Sequence, residues 1–324
     1  MKIKIPLLLV LLAAGCNRSK VQPVCIACWA GALETFPFEI AQDLGYFREE
    51  GVQVTLERPS KPTEAVVGGS CDITYDSYAA ELKAAAAGQR LKTFFVAVLR
   101  PTVLFVASPQ KADRIRRVED LKGALVEVTN FGGAFDVMTR HLLRQHGMAA
   151  SDVTMIPTGS GAPMVAALER GKVDAGFLTS RAFAVLRRRA PATRILMDPR
   201  TAEGSKTYFG TEFFATYSLT ARPEWLTQRP EDARRIAKAL VRTLTWIREH
   251  SLEEVYARMQ PKYRTEDKEA DLEALRIVLA AFSPDGRMPS GAPEAVQRVV
   301  SAADERVLKI DLASTYTNQF LEPK

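Results

Sequence analysis

Two stretches far apart in the chain repeat one local plan: VVGGSCDITYDS at 66–77 and LERGKVDAGFLTS at 168–180. In each, a helical segment ends on glycine, an aspartate follows, and an apolar strand runs out into hydroxyl residues. A short apolar strand fed from a helix pairs its backbone with parallel neighbours and is covered by helices on both faces. A chain that follows this plan twice is expected to build two α/β units, a repeat of fold rather than of strict sequence.

The rest of the chain fits that expectation. Apolar strands are predicted at 24–29, 52–56, 71–75 and 91–99, with helices between them; Pro101 breaks the pattern. A second set follows at 103–107, 125–128, 153–157, 173–178 and 195–197. A strand at 214–220 is expected to return the chain to the first unit, and beyond Pro223 the pattern is helical, with segments at 230–250, 252–259, 269–282 and 293–307. Within the second set, residues 124–147 read as a strand, a loop (Thr129, Asn130, Phe131, Gly132, Gly133) and an amphipathic helix with Gly147 as its C-terminal cap. A helix start leaves backbone N–H groups unpaired at its positive end, and the glycines remove side chains that would keep a ligand away. An anionic or strongly polar small molecule suits such a seat.

Composition excludes several classes. The chain has 324 residues, 25% of them charged and 47% hydrophobic, which argues against disorder and against a multi-span membrane protein. The basic residues are scattered rather than striped with aromatics, so no nucleic-acid partner is expected, and the Arg187–Arg188–Arg189 run reads as a solvated helix end. Lys2 and Lys4, the apolar run 5–12 and Ala13-Ala14-Gly15-Cys16 form a charged leader with small residues at a cleavage point. Residues 1–15 are therefore expected to be a signal peptide. Cys25, Cys28 and Cys71 remain. Cys25 and Cys71 open strands that should be sheet neighbours, which makes them the preferred disulfide in an oxidising compartment; three buried thiols are the alternative. Cys25-x-x-Cys28 lacks a second pair or a nearby histidine, so neither a metal site nor a cofactor is expected.

In open α/β sheets ligands lie beyond the carboxyl ends of the strands. That rule nominates the segments 29–38, 75–78, 129–133 and 178–183, rich in aromatics and hydroxyls. Here PFEIAQDLGYFREEGVQVTLE resembles the A-x-x-x-G-Y/F-F-x-x-x-G-V-x-V signature of the nitrate/taurine/alkanesulfonate and thiamine-precursor binding proteins of bacterial ABC transporters, the NMT1/THI5-like group. EDLKG before a strand, GKVDAGFLTS and the leader agree with it. The leader also resembles a bacterial lipobox, with Cys16 as the lipidated residue and 16–22 as a tether. The resemblance implies a type II periplasmic-binding-protein fold, α/β, each lobe a mainly parallel sheet flanked by helices around an interlobe cleft. The lobes are expected at 23–101 with 215–324, and at 102–214. The ligand set it implies is Trp29, Gly31, Phe36, Tyr75, Asp76, Ser77, Thr129, Asn130, Phe131, Gly132, Gly133, Thr179, Ser180 and Arg181. The family often has an aromatic–acidic–proline triplet where this chain has Ser180-Arg181-Ala182; an arginine there suits a carboxylate or sulfonate. Glu212, between the crossing segments, reads as a ligand or hinge contact.

The function expected on these grounds is a solute-binding lipoprotein of an ABC importer. It would be monomeric, lipid-anchored on the membrane, and would deliver a small anionic or heterocyclic molecule to a permease and its ATPase. The alternatives are an enzyme on the same fold, of the menaquinone- or pyrimidine-precursor type, and a ligand-sensing lipoprotein. Against an enzyme, the cleft segments hold no histidine, and Cys28 is their only conceivable nucleophile.

Overall fold

The computed structural model describes residues 22–159 and 161–322, so the leader, Cys16 and most of the tether lie outside the described residues. Ten strands form two five-stranded sheets. The first holds β1 (Val24–Cys28), β2 (Val54–Glu57), β3 (Ile73–Asp76), β4 (Lys92–Val98) and, later in the chain, β10 (Tyr217–Ala221), in the order β2-β1-β3-β10-β4. The second holds β5 (Val103–Ala107), β6 (Leu125–Val128), β7 (Thr154–Pro157), β8 (Ala175–Thr179) and β9 (Arg194–Met197), in the order β7-β6-β8-β5-β9.

Each sheet is mixed, not parallel throughout. β10 runs antiparallel to β3 and β4, and β5 runs antiparallel to β8 and β9. The reason is topological. The chain leaves the first sheet at the carboxyl end of β4 and enters the second at the carboxyl end of β8, so β5 runs against its neighbours; β10 returns at the carboxyl end of β3 in the same way. The crossings are hydrogen-bonded to each other, Phe214 N–H to the Leu99 carbonyl at 2.7 Å and Thr216 N–H to the Val98 carbonyl at 2.9 Å. They form a two-stranded hinge.

One buried cluster fills the first lobe, joining Ile26, Tyr75 and Phe95 to the long helix Pro230–Glu249 and the helix Lys268–Ala281. A second packs Phe105, Val126 and Phe177 together with Val96 and Leu99 of the first lobe, through the helix Ala292–Val300. That helix therefore closes the back of the hinge. The single helix expected over 293–307 stops at Val300, because Asp304 caps a separate turn at Glu305–Lys309. Cys25 and Cys71 are disulfide-bonded across β1 and the approach to β3, and Cys28 is a buried free thiol. No described helix is long and apolar enough to cross a membrane.

Candidate functional site

The polar floor between the lobes is built from residues that the hinge brings together. After β1 the chain makes a short turn, Leu33–Thr35, that buries Glu34 inside apolar surroundings. Thr102, the last residue of the first crossing, donates its hydroxyl to Glu34 Oε1 at 2.5 Å, and the Tyr75 hydroxyl donates to the Glu34 carbonyl at 3.0 Å. Burial pushes the Glu34 carboxyl above the ordinary carboxylate range, against the pull of Thr102, of its own backbone N–H and of Arg181. Ser180, at the end of β8, donates both its N–H and its hydroxyl to the Thr102 carbonyl. Both sheets therefore terminate on one crossing residue.

Asp76 closes the floor on the first-lobe side. Oδ1 accepts the Trp29 indole N–H at 2.9 Å and the Ser77 N–H at 2.7 Å, and Oδ2 accepts the Thr63 hydroxyl at 2.8 Å. Burial raises this carboxyl too, although all three donors hold it down. Tyr75 is fully buried and stacks on Tyr217, ring centroids 5.3 Å apart. Tyr217 is half-buried, and its hydroxyl, held well above its ordinary pKa by burial beside Glu34 and Asp76, has no hydrogen-bond partner among the described residues. Of the loops that follow the strands, Trp29 is 38% exposed and Phe131 60% exposed, while Gly31, Asn130, Gly132 and Thr179 also face solvent. A buried polar floor under exposed aromatic lips is the usual form of a small-molecule site.

The sequence-predicted residues divide by what holds them. Trp29 and Asp76 are hydrogen-bonded to each other, and Tyr75 and Ser180 belong to a second network through Glu34 and Thr102. Ser77 and Thr179 are helix caps, accepting the N–H groups of Ala80 and Ala182. Phe36 is fully buried against Tyr263 and Phe282, in the lobe core and away from the mouth. Arg181 is drawn to the first lobe: its guanidinium lies 2.9 Å from buried Asp271 and donates to the Tyr263 carbonyl at 2.6 Å. Glu212 lies beside Arg100 and Lys206 on the crossing. In the 129–133 loop, Gly132 takes a left-handed backbone and its N–H donates to Asp136 at 2.7 Å, so a carboxylate of the chain itself occupies that turn. A Cβ on Gly133 would stand 2.5 Å from Oδ1 of Asn130, an exposed side chain that could swing aside. Lys83 reaches across from the first lobe to the Gly132 carbonyl at 3.0 Å.

Beside the floor, Glu39 Oε1 collects Arg58 (2.6 Å), Lys262 (2.7 Å) and the Tyr263 hydroxyl (2.8 Å), and Arg58 also donates to the Trp29 carbonyl at 2.8 Å. Cys28 lies in this neighbourhood with its thiol pushed up to about 11 by burial, which keeps it a thiol. The three histidines have partners away from the floor: His141 is buried and stacks on Phe209, His146 pairs with Glu119, and His250 stacks on Trp246. Among the described residues no group of three or more His, Cys, Asp or Glu side chains is arranged to hold a metal ion.

The family model described as NMT1/THI5 like matches residues 33–253, more than half of the chain and both crossings. The chain belongs to the NMT1/THI5-like family. A protein of Bordetella bronchiseptica RB50 has a similar structure, with TM-score 0.81, 28% identity and coverage of 92% of this chain and 95% of that one. A putative periplasmic sulfonate-binding protein of an ABC transporter from Methylobacillus flagellatus KT shares the fold at TM-score 0.72 and 15% identity, over 93% of this chain and 92% of its own. A curated 4-amino-5-hydroxymethyl-2-methylpyrimidine phosphate synthase of Aspergillus parasiticus is 29% identical over 144 residues, 43% of this chain and 40% of the synthase. The chain thus spans well under half of that relative's length. This NMT1/THI5-like protein has the type II periplasmic-binding fold, two lobes joined by paired crossings. Sequence reading missed Glu34, Thr102 and Tyr217, which complete the floor; the one available signal was the pair of carboxylates, Glu34 and Glu39, embedded in the apolar run LETFPFEIA.

Proposed function

We propose that the protein is the solute-binding component of an ABC importer, capturing a small molecule between its lobes and delivering it to a permease and its ATPase. Export with a diacyl anchor on Cys16 and a monomeric state belong to the same reading. The observation that carries it is the convergence of groups from both sheets on the hinge residue Thr102, Glu34 from one lobe and Ser180 from the other, beneath an exposed rim. A guest seated there touches both lobes, so its binding energy favours the closed arrangement. The synthase relatives motivate an enzymatic alternative. The binding reading is favoured over it because the floor contains no histidine, and Cys28 is protonated and buried.

The test is a thermal-shift screen of broad chemical scope, followed by calorimetry and small-angle scattering on each hit. Saturable one-site binding, a compaction on binding and no turnover of the recovered ligand support the proposal. A hit recovered as a chemically altered product would replace it with the enzymatic reading. Metabolic labelling with a fatty acid, lost in Cys16→Ser, checks the anchor.

A further inference from the structure

We infer that the lobes are held by unlike joints on opposite faces of their sheets, one apolar and lasting, the other an electrostatic clasp built to release, so that the cleft opens on the clasp side. On the first side, helix Tyr78–Ala86 of one lobe and helix Ala134–Gln145 of the other are bridged by helix Ala292–Val300. A single buried cluster runs through both lobes there, joining Tyr78 and Leu82 to Val137 and Leu142 around Val296. Arg144 donates to the Arg298 carbonyl at 2.9 Å and Arg298 to the Phe209 carbonyl at 2.7 Å, which ties the bridging helix to the second lobe. On the other side, helix Lys268–Ala281 meets helix Ser180–Arg189, and the cores stop short of each other. Among the described residues, the cluster that holds Leu275 contains none from the second lobe, and the cluster that holds Phe183 contains none from the first.

Charge spans that second side. Arg187 pairs with Glu273 at 2.9 Å, Arg188 with Asp267 at 2.7 Å and Glu269 at 3.0 Å, and Arg181 lies 2.9 Å from Asp271. Arginines crowd the negative end of one helix and carboxylates the positive end of the other, so each helix favours the charges it contributes. The acids stay satisfied when the helices part. Asp271, almost wholly buried, accepts the Tyr256 hydroxyl at 3.1 Å and the N–H and hydroxyl of Thr265 at 2.6 and 3.0 Å, all within its own lobe. Asp267 caps its own helix through the Ala270 N–H at 3.0 Å. Arg181 Nε stands beside Asp271 without hydrogen-bonding geometry, and its guanidinium is held through the Tyr263 carbonyl at 2.6 Å. Breaking a buried ion pair is costly because it strands a charge without partners, and here the buried acid keeps three. Parting the apolar joint would instead expose the shared core to water. Salt therefore weakens the clasp and spares the joint.

The experiment is pulsed electron-spin distance measurement on the purified ligand-free protein. One pair of labels, on Arg189→Cys and Arg276→Cys, spans the clasp; a second, on Ala87→Cys and Ala149→Cys, spans the apolar joint. All four positions are exposed, Cys28 is buried, and Cys25 and Cys71 are bonded to each other. Each pair is measured at low salt and at about 1 M, where the screening length falls to about 3 Å. The clasp distance should shift to a longer and broader distribution at high salt, and at low salt in Arg181→Gln with Arg188→Gln, while the joint distance stays in place. If the Arg181 variant folds poorly, Arg187→Gln with Arg188→Gln, both on the surface, carries the same expectation. Equal lengthening across both faces overturns the inference. So does a clasp distance that neither salt nor the variants move.

Discussion

The disulfide gives the sharpest prediction. Cys25 and Cys71 are 46 residues apart in sequence, and their bond closes a loop that contains β2 and the first helices of the lobe. In the chain-entropy account, closing about 46 residues removes roughly 13 cal/mol/K from the unfolded ensemble, about 4 kcal/mol at room temperature. The folded state has little need of the bond for register. Asp72 N–H donates to the Cys25 carbonyl at 3.1 Å, Cys25 N–H donates to Asp72 Oδ2 at 2.9 Å, and β1 pairs with β3 from Ile26 onward. Cys25→Ala with Cys71→Ala should therefore keep the native fold and the Trp29–Asp76 contact. It should lower unfolding free energy by about 2–4 kcal/mol, allowing for residual denatured-state structure. The assay is urea denaturation followed by Trp fluorescence on a chain lacking residues 1–21, with and without reductant. A thiol count on the denatured chain accompanies it: one reactive thiol before reduction (Cys28), three after. Equal midpoints for the oxidised and reduced protein, or three thiols before reduction, would refute the reasoning.

Three further outcomes follow from buried and paired charges. Burial among Thr93, Ser218 and Thr220 raises the Glu81 carboxyl to about 8. The folded state keeps that proton while the unfolded state gives it up, so this contribution to stability is whole below about pH 4.5 and falls as pH rises towards 8. Glu81→Gln should flatten the decline, measured as urea midpoints at pH 5 and pH 8. His141 has the opposite sign: burial lowers it to about 4, so its contribution is present above pH 6.5 and is lost as pH falls towards 4, a loss that His141→Gln should reduce. Across the lobes, the helix Ser180–Arg189 meets the helix Lys268–Ala281 through Arg187–Glu273 (2.9 Å) and Arg188–Asp267 (2.7 Å). These half-exposed pairs are worth about 0.5 kcal/mol each after screening. Reversing both arginines to glutamate should expand the ligand-free protein in small-angle scattering and make its dimensions salt-sensitive; an unchanged profile would count against a closing role.

Most of the fold was legible because its signals are local. The ten strands lie within a few residues of the apolar runs that predicted them, and the glycine-aspartate-strand echo located β3 and β8 at equivalent places in the two sheets. The disulfide could be preferred because parallel strands place residues near their starts side by side. The site was legible only where a residue's role depends on its own strand end, as for Trp29, Asp76 and Ser180. Phe36 opens a helix, and Tyr263 and Phe282 cover it from segments far along the chain, a burial its own neighbours in sequence do not announce. Arg181 could be placed at the cleft from sequence, but Asp271, which claims it, belongs to a helix of the other lobe with no local mark of that destination.

The same non-local pairing explains why the chemistry of the cleft reads differently from its motifs. A local reading treats each arginine and each helix start as a free receptor, so it adds them up as an anion site. Folding, however, draws acidic groups to cations that would otherwise be half-buried and unpaired, since leaving them so costs more than satisfying them internally. Arg58 with Glu39, Arg181 with Asp271 and Arg200 with Asp198 are all such pairs, and each contains a carboxylate placed by packing, not by a recognition motif. What stays available to a guest is the residue of that accounting. Glu34, in the turn after β1, and Tyr217, where the second crossing enters β10, lie beside one another there. The strands that run against their sheets carry two of the groups gathered there: β5 begins beside Thr102, which donates to Glu34, and β10 begins with Tyr217, stacked on Tyr75 of β3.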